Sequence, residues 1–391
     1  MDIPYSKQDI NFRDRFVVWR ALKSKWLTQG PAVPEFEEAL ATRVKARYGV
    51  AVNSATSALH VALIALGVQK GDRVWTSPVT FAATANAALY CGAEVEFIDI
   101  DESHFGICVT ALRRKLEDAR GENLLPKVVI PVHLAGQPCD MRTIRELGNE
   151  FGFRILEDAS HALGSSFEGS PTGSCQFSDI TVFSFHPVKM ITTGEGGMAV
   201  TNDKLLADKM KLLRSHGITR EPSSFKLQNS ANWYYEQHVL GFNYRMTDFQ
   251  ARLGLNQLKR LTKFVTRRNM AASYYNQLGF GSKIQMPMVR QDRTSSFHLF
   301  IISVPSGRDA LANELSRNGI QVSLHYIPIY RHPFYSESEK YNPGDFPNSE
   351  SFYKSALSIP LFTSISRKQL RRVRNTCVEV LEKLDQAEQR T

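Results

Sequence analysis

The chain contains few of the patterns that mark specialised protein classes. Its 391 residues include five cysteines, an odd number without close pairs, so neither a disulfide framework nor a zinc ribbon is expected. The ten histidines form no HExxH motif and no paired-ligand spacing, which argues against a bound metal. No internal repeat or low-complexity tract is present either. We therefore expect an ordinary globular protein with reduced thiols.

Long apolar runs are also absent. No segment reaches the roughly 18 consecutive apolar residues that a membrane-spanning helix requires. The first residues, MDIPYSKQDINFRDRF, are polar and charged and do not resemble a secretory signal. These features predict a cytoplasmic location, with no membrane among the partners.

The charge balance excludes few classes of protein. There are 48 Lys and Arg against 39 Asp and Glu, a net charge of +9, and the densest basic cluster lies at 367–374. Helical spacing explains that cluster as a solvated helix face. A modestly positive surface also suits nucleotide diphosphates, whereas nucleic acid is not an expected partner. With 42% hydrophobic residues, the chain can form a sizeable core.

From about residue 35, helical patterns alternate with short apolar runs such as VVIPV at 128–132. Alternation of this kind predicts βαβ crossovers and a mainly parallel sheet that is buried on both faces. The expected strands are 50–52, 73–76, 94–98, 127–133, 153–157, 180–185 and 198–201.

The order of predicted helices and strands changes near residue 260. After a long predicted helix over 247–262, expected strands at 297–304 and 321–326 flank a helix at 309–318, and a final helix covers 367–387. These elements indicate an α+β module. We therefore predict an N-terminal arm (1–30), a large domain (31–260) and a small C-terminal domain (261–391).

Two polar residues follow predicted strands in the most informative segment. Asp158 directly follows the strand at 153–157, and Lys189 follows the strand at 180–185, just before the glycine-rich TTGEGG. In open α/β sheets ligands bind at the carboxyl ends of strands. A desolvated lysine there has a lowered pKa and becomes a nucleophile toward aldehydes, and a carboxylate can pair with a protonated pyridine nitrogen. Pyridoxal phosphate needs both groups.

Each of these residues could also have an ordinary structural role. A single lysine is usually a surface charge, and an aspartate at a strand end is often a cap or turn residue. A third feature favours the functional reading: Asn53-Ser54-Ala55-Thr56-Ser57 joins a short strand to a helix through small residues. A helix N-terminus of this kind binds anions such as phosphate, although a simple Ser/Thr cap would look the same. No nucleotide P-loop or dinucleotide fingerprint is present.

Several motifs are similar to those of the DegT/DnrJ/EryC1/StrS family of sugar aminotransferases, which depend on pyridoxal phosphate. The matching segments are WLTQGP (26–31), NSATSAL (53–59), TFAATANA (80–87), SHALGS (160–165), SFHPVK (184–189), ITTGEGG (191–197), RSHG (214–217) and HYIPIY (325–330). The resemblance extends over nearly the whole chain. It implies the fold type I architecture: a large α/β domain with a mainly parallel seven-stranded sheet between helices, and a smaller C-terminal α+β domain.

The resemblance also implies roles for single residues. Lys189 would anchor the cofactor covalently, Asp158 would hold its pyridine nitrogen, and His161 would lie near its phenolic oxygen. Phe81 would stack on the cofactor ring, although its composition suits core packing equally well. The residues implied in phosphate binding are Ala55, Thr56, Ser57, Ser184 and, from the neighbouring subunit of a homodimer with shared active sites, Asn243.

The implied activity is transfer of an amino group from glutamate to C4 of a UDP-4-keto-6-deoxy-N-acetylhexosamine, for pseudaminic acid-type surface glycans. Candidates for lining the sugar-nucleotide pocket are Tyr5, Thr28, Gln29, His325 and Tyr326, each of which could instead serve a turn or cap. Two alternatives stay open. The enzyme could act on another keto sugar, by amination at C3 or of a 4-keto pentose, or the fold could serve a non-catalytic sensor.

Overall fold

A seven-stranded sheet forms the centre of the computed structural model, which describes residues 2–122, 124–227, 231–337 and 340–388. The strands of this sheet are β1 (Tyr48–Val52), β2 (Arg73–Thr76), β3 (Glu94–Phe97), β4 (Val128–Ile130), β5 (Arg154–Asp158), β6 (Ile180–Ser184) and β7 (Gly197–Thr201). Their spatial order is β1-β7-β6-β5-β4-β2-β3. Only β7 runs against the others in this sheet, so six strands end at the same edge.

Helices cover both faces of this sheet, and further helices belong to the C-terminal part of the chain. The helices are α1 (Phe12–Leu22), α2 (Ala32–Val44), α3 (Ala55–Ala65), α4 (Ala82–Tyr90), α5 (Val109–Glu122), α6 (Met141–Phe151), α7 (Lys204–Leu213), α8 (Asp248–Leu258), α9 (Leu261–Leu278), α10 (Arg308–Arg317), α11 (Pro333–Ser336), α12 (Pro347–Ser355) and α13 (Arg367–Glu388). Successive strand residues enter different cores: Val182 packs with α3 and α7, whereas Phe183 packs with α2. Burial on both faces explains the continuous apolar strands and confirms the predicted α/β class.

Two further strands, β8 (Phe300–Ser303) and β9 (Ala356–Ile359), form an antiparallel pair. They pack with α9, α10 and α13 in a separate hydrophobic cluster, which fits the predicted α+β module; the division at residue 260 stays a prediction. Two-residue strands lie at Ser166–Phe167, Ser170–Pro171, Ile218–Thr219, Glu236–Gln237 and Arg293–Thr294. Short 3-10 helices lie at Leu134–Gly136, Pro222–Ser224, Ile329–Arg331 and Pro343–Asp345.

Two expected elements differ from the structure. The single helix predicted over 247–262 is instead α8 and α9, separated at Lys259 and Arg260, because Arg260 leaves helical geometry and donates to the carboxylates of Asp9 and Asp14. The strand predicted over 321–326 is reduced to one bridge between Ser323 and Ser358. The chain then turns toward Pro328, whose missing N–H cannot continue a ladder.

The N-terminal arm is fixed to the body of the protein by a buried carboxylate. Asp14 of α1 accepts hydrogen bonds from the side-chain amides of Asn256 (2.6 Å) and Gln257 (2.9 Å), and it forms an ion pair with Arg260. Near the start of the arm, Ile3 forms a parallel bridge with Ile320. None of the helices in the described ranges combines the length and apolar character that crossing a bilayer requires.

Candidate active site

A cavity of about 530 Å³ opens at the sheet edge where the parallel strands end. Loops after β1, β2, β5 and β6 form one side of it, and Tyr5, His325 and Tyr326 form another. Its volume is within the range that small-molecule sites occupy. The predicted site residues that line this cavity are Tyr5, Ala55, Thr56, Phe81, Asp158, His161, Ser184, Lys189, His325 and Tyr326.

Lys189 and Asp158, the two residues that the sequence singles out, face this common cavity. Burial lowers the pKa of Lys189 to about 8, while the carboxylate of Asp158 opposes the shift. The carboxylate is held by hydrogen bonds that the hydroxyl of Thr84 (2.8 Å) and the backbone N–H of Ser160 (3.1 Å) donate. The site therefore contains an amine that is partly neutral near pH 8, together with a fixed negative charge.

The first turn of α3 faces the cavity. Ser54 caps this helix by accepting a hydrogen bond from the backbone N–H of Ser57 (3.1 Å), and Ser54, Ala55 and Thr56 line the cavity. The first N–H groups of a helix have no partner within it, so this turn can bind an anion. Ser57 itself is buried, and its hydroxyl donates to Asn53 (2.6 Å) instead of facing the cavity.

Two buried histidines lie together on the wall of the cavity. The ring centroids of His161 and His298 are 4.3 Å apart, and Nε2 of His161 is 3.1 Å from the hydroxyl of Tyr326. Within the described ranges, Nδ1 of each histidine is buried and has no hydrogen-bond partner. Burial, reinforced by the charge of Lys189, lowers the pKa of His161 well below its ordinary value. The ring is therefore neutral near pH 7.

His298 is positioned by a buried cation. Nη1 of Arg268, on α9, donates to the carbonyls of Phe297 (3.2 Å), His298 (3.0 Å) and Leu361 (3.0 Å). Burial lowers the pKa of Arg268 to about 10. This guanidinium therefore holds the backbone that brings His298 to the cavity.

Part of the cavity lining is aromatic. The ring of Phe81 is 61% exposed and lies 5.8 Å from the ring of Tyr326. The ring of Tyr5 lies 5.4 Å from that of His325, whose Nδ1 is 2.9 Å from the hydroxyl of Ser358. These groups provide flat apolar surfaces and a small number of polar atoms, as small-molecule sites usually do.

Four predicted residues lie outside the cavity of this chain: Ser57, Thr28, Gln29 and Asn243. Thr28 and Gln29 are exposed, and Thr28 forms a bridge with Thr247. Asn243 is exposed beside the loop that follows β1, since the carbonyl of its neighbour Tyr244 accepts a hydrogen bond from the N–H of Asn53 (2.8 Å). Their roles stay predictions, which for Asn243 concern a neighbouring subunit.

Sequence reasoning missed several residues that line the cavity, among them Ser54, Thr84, Glu195 and His298. Ser54 and Glu195 lie inside recognised motifs, so closer reading of those motifs could have included them. Thr84 lies inside TFAATANA as well, four positions after Thr80, and the two hydroxyl oxygens are 2.7 Å apart. No local signal marks His298, because its place against His161 depends on the folded chain.

A parallel sheet with a buried lysine, a carboxylate and a helix N-terminus around one cavity defines an α/β enzyme of the aminotransferase class. The model of the DegT/DnrJ/EryC1/StrS aminotransferase family matches residues 9–378, and the chain belongs to this family. It is a sugar aminotransferase. The predictions of the family and of the fold type I architecture are thereby confirmed.

Three relatives are similar to the chain over nearly its whole length. It is 38% identical over 388 residues to a UDP-4-amino-4,6-dideoxy-N-acetyl-β-L-altrosamine transaminase of Campylobacter jejuni, covering 98% of each chain. Helicobacter pylori PseC, an aminotransferase of pseudaminic acid biosynthesis, superposes with a TM-score of 0.88 at 30% identity, covering 98% of this chain and 100% of the other. The pyridoxal phosphate form of the putative sugar aminotransferase Spr1654 of Streptococcus pneumoniae gives 0.87 at 29% identity, covering 98% and 99%.

The family implies pyridoxal phosphate as cofactor, and the residues of this cavity fit that molecule. The buried amine of Lys189 can bind an aldehyde, and Asp158 can pair with a pyridine nitrogen. The helix N-terminus with Ser54 and Thr56 suits a phosphate. His161 lines the same cavity, and the family resemblance implies a place near the phenolic oxygen. The amine, the carboxylate and the helix N-terminus thus match the aldehyde, the pyridine nitrogen and the phosphate of the cofactor.

The lowered pKa of Lys189 predicts how cofactor uptake depends on pH. Only the neutral amine attacks an aldehyde, so the uptake rate should rise about tenfold per pH unit up to about 8 and then level off. A lysine at its ordinary pKa of 10.5 would give a rate still rising at pH 10. Stopped-flow absorbance measures the uptake rate when cofactor-free protein is mixed with pyridoxal phosphate at each pH. A profile without a plateau below pH 10 would contradict the assignment.

Proposed function

We propose that the protein transfers an amino group from glutamate to C4 of a UDP-4-keto-6-deoxy-N-acetylhexosamine, giving a UDP-4-amino sugar. The observation that carries the proposal is the common cavity of Lys189 and Asp158 beside the N-terminus of α3. The proposed reaction takes place in the cytoplasm. Its product enters the synthesis of pseudaminic acid-type surface glycans. The names of the Campylobacter and Helicobacter relatives support that choice of sugar.

Pyridoxal phosphate, when bound, would supply an electron sink that stabilises negative charge on the carbon losing its proton. Asp158 would keep the pyridine nitrogen protonated, because a fixed carboxylate favours the charged form. The amine of Lys189 would remove the proton from the α-carbon of glutamate and, in the second half-reaction, return a proton to C4 of the sugar. Its pKa of about 8 suits both directions near neutral pH.

The sugar-nucleotide would enter between Phe81 and the wall of Tyr5, His325 and Tyr326. This part of the cavity is aromatic. Thr28 and Gln29 are exposed and lie outside the cavity of this chain. We propose that they complete the sugar-nucleotide pocket.

We also propose a homodimer in which Asn243 of one subunit reaches the phosphate site of its partner. Asn243 is exposed beside the phosphate loop of its own chain. Large apolar side chains nearby are exposed as well, including Leu240 (81%) and Tyr90 (58%). Exposed apolar surface of this kind commonly marks a subunit interface.

Product analysis with a panel of keto sugars tests the proposed substrate. Purified enzyme, glutamate and pyridoxal phosphate are incubated with UDP-4-keto-6-deoxy-N-acetylhexosamines of both C5 configurations, a 3-keto hexose nucleotide and a UDP-4-keto pentose. NMR spectroscopy should identify an amino group at C4 of a hexosamine. Turnover of only the 3-keto hexose or the pentose would overturn the choice of sugar. Cofactor binding without any turnover would support the sensor reading instead.

A further inference from the structure

Helix α1 presents a continuous aromatic ridge to the outside. Phe12, Phe16 and Trp19 are 77%, 44% and 50% exposed. Their rings stack along the helix, with centroid separations of 6.3 Å between Phe12 and Phe16 and 5.8 Å between Phe16 and Trp19. At about 100° per residue the three side chains occupy one narrow arc of the helix. We call these three residues the aromatic ridge.

Cations flank this ridge on both sides. Helical geometry places Arg15 on one side and Arg13 and Arg20 on the other, while Lys23 follows at its C-terminal end with its ammonium 3.9 Å from the ring of Trp19. All four are exposed. The only acid between residues 11 and 34 is Asp14, which is buried. The outer face of α1 is therefore both apolar and purely positive.

The orientation of this face is fixed. The hydrogen bonds and ion pair of Asp14 hold the opposite side of α1 against α8 and the start of α9. Rotation of α1 to bury its aromatic rings would expose that carboxylate and leave its partners unpaired, at a cost typical of broken buried charge pairs. The ridge therefore stays outside in the folded chain.

We propose that the outer face of α1 docks onto an anionic phospholipid surface. Phe and Trp side chains partition into the interfacial layer of a bilayer, and flanking cations bind the negative headgroups. A twofold contact centred on this face would set positive charge against positive charge, so a second copy of the chain fits such a contact less well. This proposal departs from the prediction that no membrane is a partner, and the contact it describes is peripheral.

Vesicle co-sedimentation tests the proposal with the full chain. The protein should pellet with vesicles of phosphatidylcholine mixed with phosphatidylglycerol, should stay in solution with phosphatidylcholine alone, and should be released by salt. Replacing the ridge (Phe12→Ser, Phe16→Ser, Trp19→Ser) should weaken binding at least about tenfold. Neutralising the flanks (Arg13→Gln, Arg15→Gln, Arg20→Gln) should weaken it about 100-fold.

Matched variants elsewhere on the surface serve as controls. Phe334→Ser removes another exposed aromatic ring, and the triple variant Lys263→Gln, Arg267→Gln, Lys368→Gln removes the same number of exposed cations. Both controls should bind vesicles like the unaltered protein. Cofactor uptake should be unchanged in every variant, which shows that each one folds.

Three results would overturn the proposal. The first is equal binding to neutral and anionic vesicles, or to neither. The second is unchanged binding of the ridge variant. The third is a change of oligomeric state in the ridge variant without lipid, measured by light scattering, which would assign the face to contacts between copies. All three are independent of the proposed amino transfer, because none of them measures turnover.

Discussion

Replacing Lys189 by alanine should abolish amino transfer and prevent covalent attachment of pyridoxal phosphate. The variant loses both the nucleophile and the proton carrier, so kcat should fall by about 10⁴-fold or more. Single-turnover assays measure the loss of activity. Absorbance spectra should lack the visible band of the covalently held cofactor, and reduction with borohydride should no longer link the cofactor to the protein.

Lys204→Ala is a suitable control, because Lys204 is exposed on α7 and pairs only with Asp208 among the groups that the structure shows for it. Its activity and spectrum should equal those of the unaltered protein. Covalent cofactor in the Lys189→Ala variant, found on another lysine by peptide mapping, would refute the assignment of position 189. Retained turnover would refute the mechanism itself.

Replacing Asp158 by asparagine should have the second largest effect. Asparagine has nearly the same shape and can still accept the hydrogen bond from Thr84, but it supplies no charge to hold a proton on the pyridine nitrogen. We expect kcat to fall by about 10²–10³-fold, the range seen when one preorganised electrostatic contact is lost. Glutamate-dependent half-reaction rates measure this effect without the sugar.

The same substitution should also change the pH profile of cofactor uptake. Asp158 raises the pKa of Lys189 against the effect of burial, so its neutralisation should lower that pKa below about 8 and move the plateau to lower pH. Asp179→Asn is the matched control, since Asp179 lies before β6 at the opposite edge of the sheet and pairs with Arg154 (2.7 Å). A profile that moves equally in both variants would indicate a general structural effect.

The sheet could be predicted well because its signals are local. Strands buried on both faces are short apolar runs, and β2 has the predicted bounds of 73–76. The limits of other strands depend on neighbours. β4 ends at Ile130 although the apolar run continues, because Pro131 cannot donate to the ladder. The break between α8 and α9 depends on Asp9 and Asp14, more than 240 positions away, and no local pattern reveals it.

The candidate site also contains some residues that could be predicted from the sequence and others that could not. Lys189 and Asp158 could be paired from sequence because both follow parallel strands that must end at one edge. The contact of His161 with His298 joins segments more than 130 positions apart and depends on Arg268, which is buried without any carboxylate partner in the described ranges. Packing across modules decides such contacts, and periodicity carries no information about them.

The cavity wall formed by Tyr5, His325 and Tyr326 comes from the two ends of the chain, whereas Lys189, Asp158 and the N-terminus of α3 come from its middle. The arm reaches this wall through the bridge of Ile3 with Ile320. Evolution can thus vary the wall proposed to meet the sugar while the groups proposed to hold the coenzyme stay unaltered. One scaffold could diversify in this way across many glycans without rebuilding its chemistry.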